Sequence, residues 1–121
     1  MDKLETMMNM QKSFQEKVGF NFENMNDIEK SAYIKEMILW TIDEMGEALH
    51  ELKYAKHWSK KYDTWSLEET QKRRENFKNE MVDSFHFFMN VLLATGMDAN
   101  ELFERYIEKN KINIERQNNG Y

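Results

Sequence analysis

The chain has 121 residues, enough for one domain with a modest core that pairing with a second copy would enlarge. It has no proline and only four glycines, which favours helix over a β-rich fold, and no cysteine, which excludes disulfides and thiolate metal sites. A net charge of −5 argues against binding a nucleic-acid backbone, but a small anionic ligand is compatible if a cation offsets the acids. No N-terminal signal peptide and no long apolar run is visible, so a cytoplasmic protein with no membrane partner is the expectation.

The first predicted helix covers about residues 2–18, with Leu4, Met7, Met8, Phe14 and Val18 at helical spacing and Gly19 as its stop. After a loop over 20–25, the capping box Asn26-x-x-Glu29 opens a long helix, about 27–58. Its apolar positions Ile34, Ile38, Ile42, Met45, Leu49 and Leu52 recur every three or four residues. Ser66-x-x-Glu69 starts a third helix, about 67–95, stopped by Gly96, and Asp98-x-x-Glu101 starts a fourth, about 99–116. No repeat or linker divides them. The expected fold is therefore all-α, a four-to-five-helix bundle forming one domain over 1–121, with helices long enough to suggest a homodimer.

Two acidic pairs lie inside the two longest helices, Glu44/Glu47 and Glu80/Asp83. Residues three apart share one side of a helix. The apolar stripe Ile34, Ile38, Met45, Leu49, Leu52 adjoins the first pair, and the stripe Phe77, Met81, Phe85, Phe88, Leu92 adjoins the second. If both stripes enter one core, four carboxylates meet at its edge, where they repel each other unless protons or a cation intervene. Such hard oxygen ligands suit magnesium, which takes its remaining ligands from water and phosphate oxygens. One Glu-x-x-Glu is equally compatible with a solvated helix face. Gly46, in mid-helix, would permit a close approach of backbone or ligand.

The end of the chain is more specific. Glu80-Met81-Val82-Asp83-Ser84-Phe85-His86-Phe87, followed by Tyr106-x-x-Lys109-Asn110-x-x-Asn113-x-x-Arg116-Gln117-x-x-Gly120-Tyr121, resembles the dimeric dUTPase family. It is especially similar to the T-even phage dCTP pyrophosphatase/dUTPase branch of that family, within the all-α NTP pyrophosphatases that include the MazG-like proteins. The resemblance also covers Glu44-x-x-Glu47, Lys56-His57-Trp58-Ser59 and, more weakly, Met10-Gln11 and Gln15. It implies hydrolysis of a pyrimidine deoxynucleoside triphosphate, dUTP or dCTP, to the monophosphate and pyrophosphate, in a bacterial cell or phage-infected host. It implies that Glu44, Glu47, Glu80 and Asp83 hold two or more magnesium ions, with manganese as a substitute, and carry the catalysis. It implies that Lys109, Asn113, Arg116 and Tyr121 grip the phosphates, that Lys56 and Trp58 join the substrate site, and that Gln11 and Gln15 read the base. Many dUTPases of the family have Asn or an acid where this chain has Gln15, whereas the phage branch has Gln, so the resemblance does not imply strict uracil specificity.

The residues alone agree with a phosphate grip, since Lys109, Asn113 and Arg116 fall on one helical face and Arg can bind phosphate in a bidentate fork. A solvated C-terminal helix has the same pattern. Glu47-x-x-His50 and Asp83-x-x-His86 leave a di-iron carboxylate bundle as the rival chemistry, although those sites draw Glu from further helices. A catalytically silent helical dimer that binds a nucleotide or a partner is the third reading.

Overall fold

The computed structural model describes residues 2–120. Its α-helices are α1 (Lys3–Lys17), α2 (Asp27–Glu51), α3 (Leu67–Ala94) and α4 (Ala99–Asn118), with short 3-10 turns at Phe22–Asn24 and Lys61–Thr64 and no strand among the described residues. The all-α expectation holds. Each α-helix starts on a side-chain cap, at Asp2, Asn26, Ser66 and Asp98, whose oxygen accepts from the backbone N–H three residues on. At Asn26 the box is reciprocal: Glu29 N–H donates to Asn26 at 2.8 Å and Asn26 N–H to the Glu29 carboxylate at 3.3 Å. Glu69 and Glu101 use their carboxylates elsewhere, each on an arginine one turn ahead, Arg73 and Arg105. Gly96, at φ +85°, ends α3 as expected, with the Met97 N–H reaching back to the Leu92 carbonyl at 3.2 Å.

The second helix is shorter than predicted, stopping at Glu51 instead of about 58. The apolar period runs on, but tertiary packing overrides it. Leu52 is extended, Tyr54 is left-handed at φ +63°, and the chain folds over Tyr62, which is 2% exposed. Tyr54 and Trp65 pack on the Tyr62 ring at 5.5 and 5.1 Å, and its hydroxyl accepts from the Lys56 N–H at 3.0 Å. Arg73 then ties the end of α2 to the start of α3. It bonds Glu69 at 2.7 Å and Glu51 at 3.2 Å, and its guanidinium lies 5.1 Å from the Trp65 ring centre.

Helices α2 and α3 form the antiparallel centre of the fold, joined at Glu51–Arg73, Thr41–Ser84 and Met37–Asn90. The row of α2 that turns inward is Tyr33, Met37, Thr41, Glu44, Ala48, Glu51. The predicted apolar stripe is the same row moved one residue along, and it faces outward: Ile38, Ile42, Met45, Leu49 and Leu52 are all exposed. On α3 the row Arg73, Asn76, Glu80, Ser84, Phe87 is turned inward, and the predicted stripe again lies one residue along, with Phe85 and Phe88 exposed. The expectation that the stripes enter the core with the acids at its edge is thus reversed along most of α2, but on α3 only at Phe85 and Phe88, since Phe77 and Met81 are half-buried and Leu92 joins the core. One residue is about 100° of helix, enough to exchange the two faces.

The buried core is concentrated at one end, where α1, the Phe22 turn and the facing ends of α2 and α3 meet around Met8, Phe22, Tyr33, Met37, Met89 and Leu93. Helix α4 has no buried residue and leaves Phe103, Tyr106, Ile107 and Ile114 exposed. The accessible surface is 9421 Å². A compact monomer of 14.7 kDa is expected to show about 6,900 Å². Elongated helices with outward apolar rows account for the excess.

Candidate active site

Because the acid-bearing rows face each other, Glu44 of α2 meets Glu80 and Asp83 of α3 in the seam between the helices. Single carboxylate oxygens of Glu44, Glu80 and Asp83 all lie within 4.8 Å of one another, and the same holds for Asp43, Glu44 and Glu47. Glu44 belongs to both groups. Asp43 was not foreseen from the pairwise spacing, since only its neighbour in sequence belongs to the inward row.

The electrostatics of the seam are unfavourable without a counter-charge. A hydrogen bond to Glu80, then loss of solvent, then the charges of Glu47, Glu80 and Asp83 push the Glu44 carboxyl up to about 7. Glu47 is also raised, chiefly by the charge of Glu80. Glu80 Oε2 is shielded from solvent and has no hydrogen-bond partner. A proton shared with Glu44, or a cation, supplies what it lacks. An all-oxygen set with one orphaned buried acceptor fits a hard divalent ion, which Glu44, Glu80 and Asp83, or Glu44, Glu47 and Asp43, would hold. His50 and His86 belong to neither group, contrary to the arrangement that a di-iron carboxylate site requires.

The raised Glu44 gives a pH signature. Its carboxyl holds a proton to a higher pH when folded than when unfolded, so the metal-free protein loses stability as pH rises from 4.5 to about 7. Magnesium competes with that proton. It is expected to raise the melting temperature more at about pH 8 than at about pH 5. An equal shift at both, by differential scanning fluorimetry, would count against a metal site built on Glu44.

Beside the seam opens a cleft of about 610 Å³, mostly apolar, lined by Met7, Met10, Gln11, Phe14 and Gln15 of α1, by Glu44, and by α3 from Val82 and Asp83 to Asn90. Both glutamines are buried, at 6% exposure, in a polar network within an apolar wall. Gln11 donates to the Asn90 carbonyl at 2.8 Å and lies 2.7 Å from His86 Nδ1. The Tyr33 hydroxyl donates to the Gln15 carbonyl at 2.7 Å, and burial, then the charge of Glu36, keep that phenol protonated. Asn90 escaped notice as a site residue, and His86 was weighed only as an iron ligand. Their signal was present, as two polar side chains in the apolar run 85–94, four apart and in register with Asp83.

The remaining candidates are not gathered at this cleft. Trp58 is exposed and packs edge-on against His57, and Lys56 lies in the turn over Tyr62. Lys109, Asn113 and Arg116 share α4 but are exposed, on a helix that packs against α1. Tyr121 lies outside the described residues. A Cβ at Gly46 would meet nothing within 4 Å, so no neighbour in the chain requires glycine there.

Comparison with known proteins adds an independent line. A family model described as dUTPase matches residues 3–97 and 88–121. A stretch of 70 residues is 40% identical to the dCTP pyrophosphatase of Enterobacteria phage LZ5, covering 54% of this chain and 41% of that protein. A stretch of 44 residues is 54% identical to the dCTP pyrophosphatase of Enterobacteria phage T4, covering 36% of this chain and 26% of that protein. A shorter stretch of 34 residues is 50% identical to a DNA replication protein of phage T4, over 28% of this chain and 9% of that protein. The chain therefore spans well under half the length of these relatives. No solved structure matches. No helix among the described residues is long and apolar enough to cross a membrane. With the family model matched along nearly the whole chain, and a carboxylate seam opening on an apolar cleft that holds buried amides, the chain belongs to the dUTPase family.

Proposed function

We propose that this chain is a magnesium-dependent pyrophosphohydrolase of pyrimidine deoxynucleoside triphosphates, acting on dCTP, dUTP or both as a homodimer in the cytoplasm. The observation that carries the reading is the seam itself, in which Glu44, Glu80 and Asp83 converge at the edge of a cleft roomy enough for a base and lined by amides. The relatives named as dCTP pyrophosphatases support the same substrate class.

Magnesium, when bound, supplies positive charge that neutralises the triphosphate and polarises its phosphorus centres. The chain's own groups do the rest. Asp43, Glu44, Glu47, Glu80 and Asp83 would hold the cation. Glu44, shared by both acid groups, orients water and takes its proton as the new P–O bond forms; the bridge between the α- and β-phosphorus breaks and pyrophosphate leaves. Met7, Met10 and Phe14 exclude solvent around the base. Lys109, Asn113 and Arg116, with Tyr121, neutralise the phosphates. Lys56 and Trp58 border the nucleotide in the complete dimer.

Purified protein mixed with dCTP, dUTP, dTTP, the purine triphosphates and the matching diphosphates, with and without magnesium, tests this. Pyrophosphate release from dCTP or dUTP that stops on chelation is expected. No release from any pyrimidine triphosphate would sink the proposal.

A further inference from the structure

We propose that His86 reads the base, and that Met37, Asn90 and Gln11 fix which of its ring nitrogens carries the proton, so that the cleft presents an acceptor and prefers cytosine to uracil. The inference rests on the pyrimidine-nucleotide function above and names the base within it.

The chain of hydrogen bonds starts in the core. Asn90 is 2% exposed, and its amide nitrogen donates to the Met37 sulfur at 3.4 Å. A thioether can only accept. The Asn90 nitrogen is therefore directed at Met37 and its oxygen at Gln11, which donates to it at 2.8 Å. With the nitrogen of Gln11 committed to Asn90, its carbonyl oxygen faces His86 Nδ1 at 2.7 Å. That oxygen also only accepts, so Nδ1 carries the hydrogen. The neutral ring then has a bare Nε2, an acceptor, on a residue that is exposed and lines the cleft. Reversing both amides would place the Asn90 oxygen against the Met37 sulfur, two acceptors in contact inside the core. The polarity of the base site is thereby set by a methionine that does not line it.

Gln15 is fixed as well. Its oxygen accepts from Tyr33, which leaves its amide nitrogen as a donor. A donor there serves the O2 carbonyl that cytosine and uracil share, so Gln15 holds the base without discriminating. Discrimination falls to His86. Cytosine offers an amine at position 4, which Nε2 accepts; uracil offers a carbonyl, which Nε2 repels. The one donor on uracil's pairing edge, N3–H, sits a ring atom nearer the sugar, so uracil reaches Nε2 only by losing register with Gln15.

The test combines kinetics with the tautomer itself. In the wild-type protein, kcat/KM for dCTP is expected to exceed that for dUTP by roughly tenfold, the worth of one hydrogen bond. The ¹⁵N ring signals of His86, assigned by their loss in His86→Phe, are expected to show the Nδ1–H tautomer. His86→Phe is expected to bring the two substrates to parity. Met37→Leu conserves volume and should fold, but it removes the sulfur acceptor. It is expected to lower the dCTP preference and to mix the two tautomers. An Nε2–H tautomer in the wild type, or a substrate ratio unmoved in both variants, would overturn the inference while leaving the hydrolase reading intact. If the wild type hydrolyses neither nucleotide, the hydrolase reading fails instead. Relative binding of dCMP and dUMP to the same three proteins then decides the role of His86, with tighter dCMP binding lost in both variants supporting it and an unchanged ratio refuting it.

Discussion

Glu80→Gln is expected to lower pyrophosphate release on the order of 10³-fold while making the metal-free protein more resistant to heat. The two effects have one cause. Glu80 faces Glu44 and Asp83 across the seam, and its buried Oε2 has no hydrogen-bond partner. Glutamine keeps the volume, removes one charge from the cluster, and offers an amide N–H to Glu44. Relief of that repulsion, with one new hydrogen bond, is worth about 1 kcal/mol to the metal-free fold. The same change removes an anionic ligand that a cation requires. Magnesium should therefore stabilise the wild type and not the variant. Steady-state pyrophosphate assays, with thermal melts in chelator and in magnesium, check both halves. Retained turnover would remove Glu80 from the site. A variant both inactive and less stable without metal would make Glu80 a structural residue.

That opposition of stability and function explains why the acids were legible in the sequence and their placement was not. The pairs Glu44/Glu47 and Glu80/Asp83 stood out by spacing and by resemblance, and the caps at Asn26, Ser66 and Asp98 located three helix starts. Periodicity shows that a helix carries an apolar row beside a polar one. It does not show which row meets the neighbouring helix. The usual assumption buries the apolar row, yet here Ile42 is turned out and Glu44 is turned in, so the seam between α2 and α3 gathers carboxylates instead of making a dry contact. The end of α2 was misjudged for a related reason, since the run toward residue 58 is broken by aromatic packing on Tyr62, a contact that local pattern cannot show. Gln11 and Gln15 were visible as candidates, but their partners His86, Asn90 and Tyr33 come from other helices.

The outward row leads to the second large prediction, that Ile42→Glu combined with Leu49→Glu splits a homodimer into monomers. Ile42 is 61% and Leu49 58% exposed, at the centre of a row that also holds Ile38, Met45 and Leu52, with Phe85 and Phe88 in the matching row of α3. Apolar rows of this length on adjacent helices are rarely left to water. The surplus over a compact monomer, about 2,500 Å², is of the size that an obligate interface removes. In a two-fold dimer each substitution counts twice, so four apolar side chains are lost. At about 2 kcal/mol each, the dissociation constant should rise by on the order of 10⁵ to 10⁶-fold, enough to take even a tight dimer beyond micromolar working concentrations. Sedimentation velocity across a dilution series measures this directly. A wild-type chain that sediments as a monomer at tens of micromolar would refute the homodimer. A variant that still dimerises would move the interface to α4, whose Phe103, Tyr106, Ile107 and Ile114 form the other exposed apolar face. The acid row is untouched by either substitution, so magnesium should still raise the melting temperature of the split protein, which separates the metal site from the assembly that surrounds it.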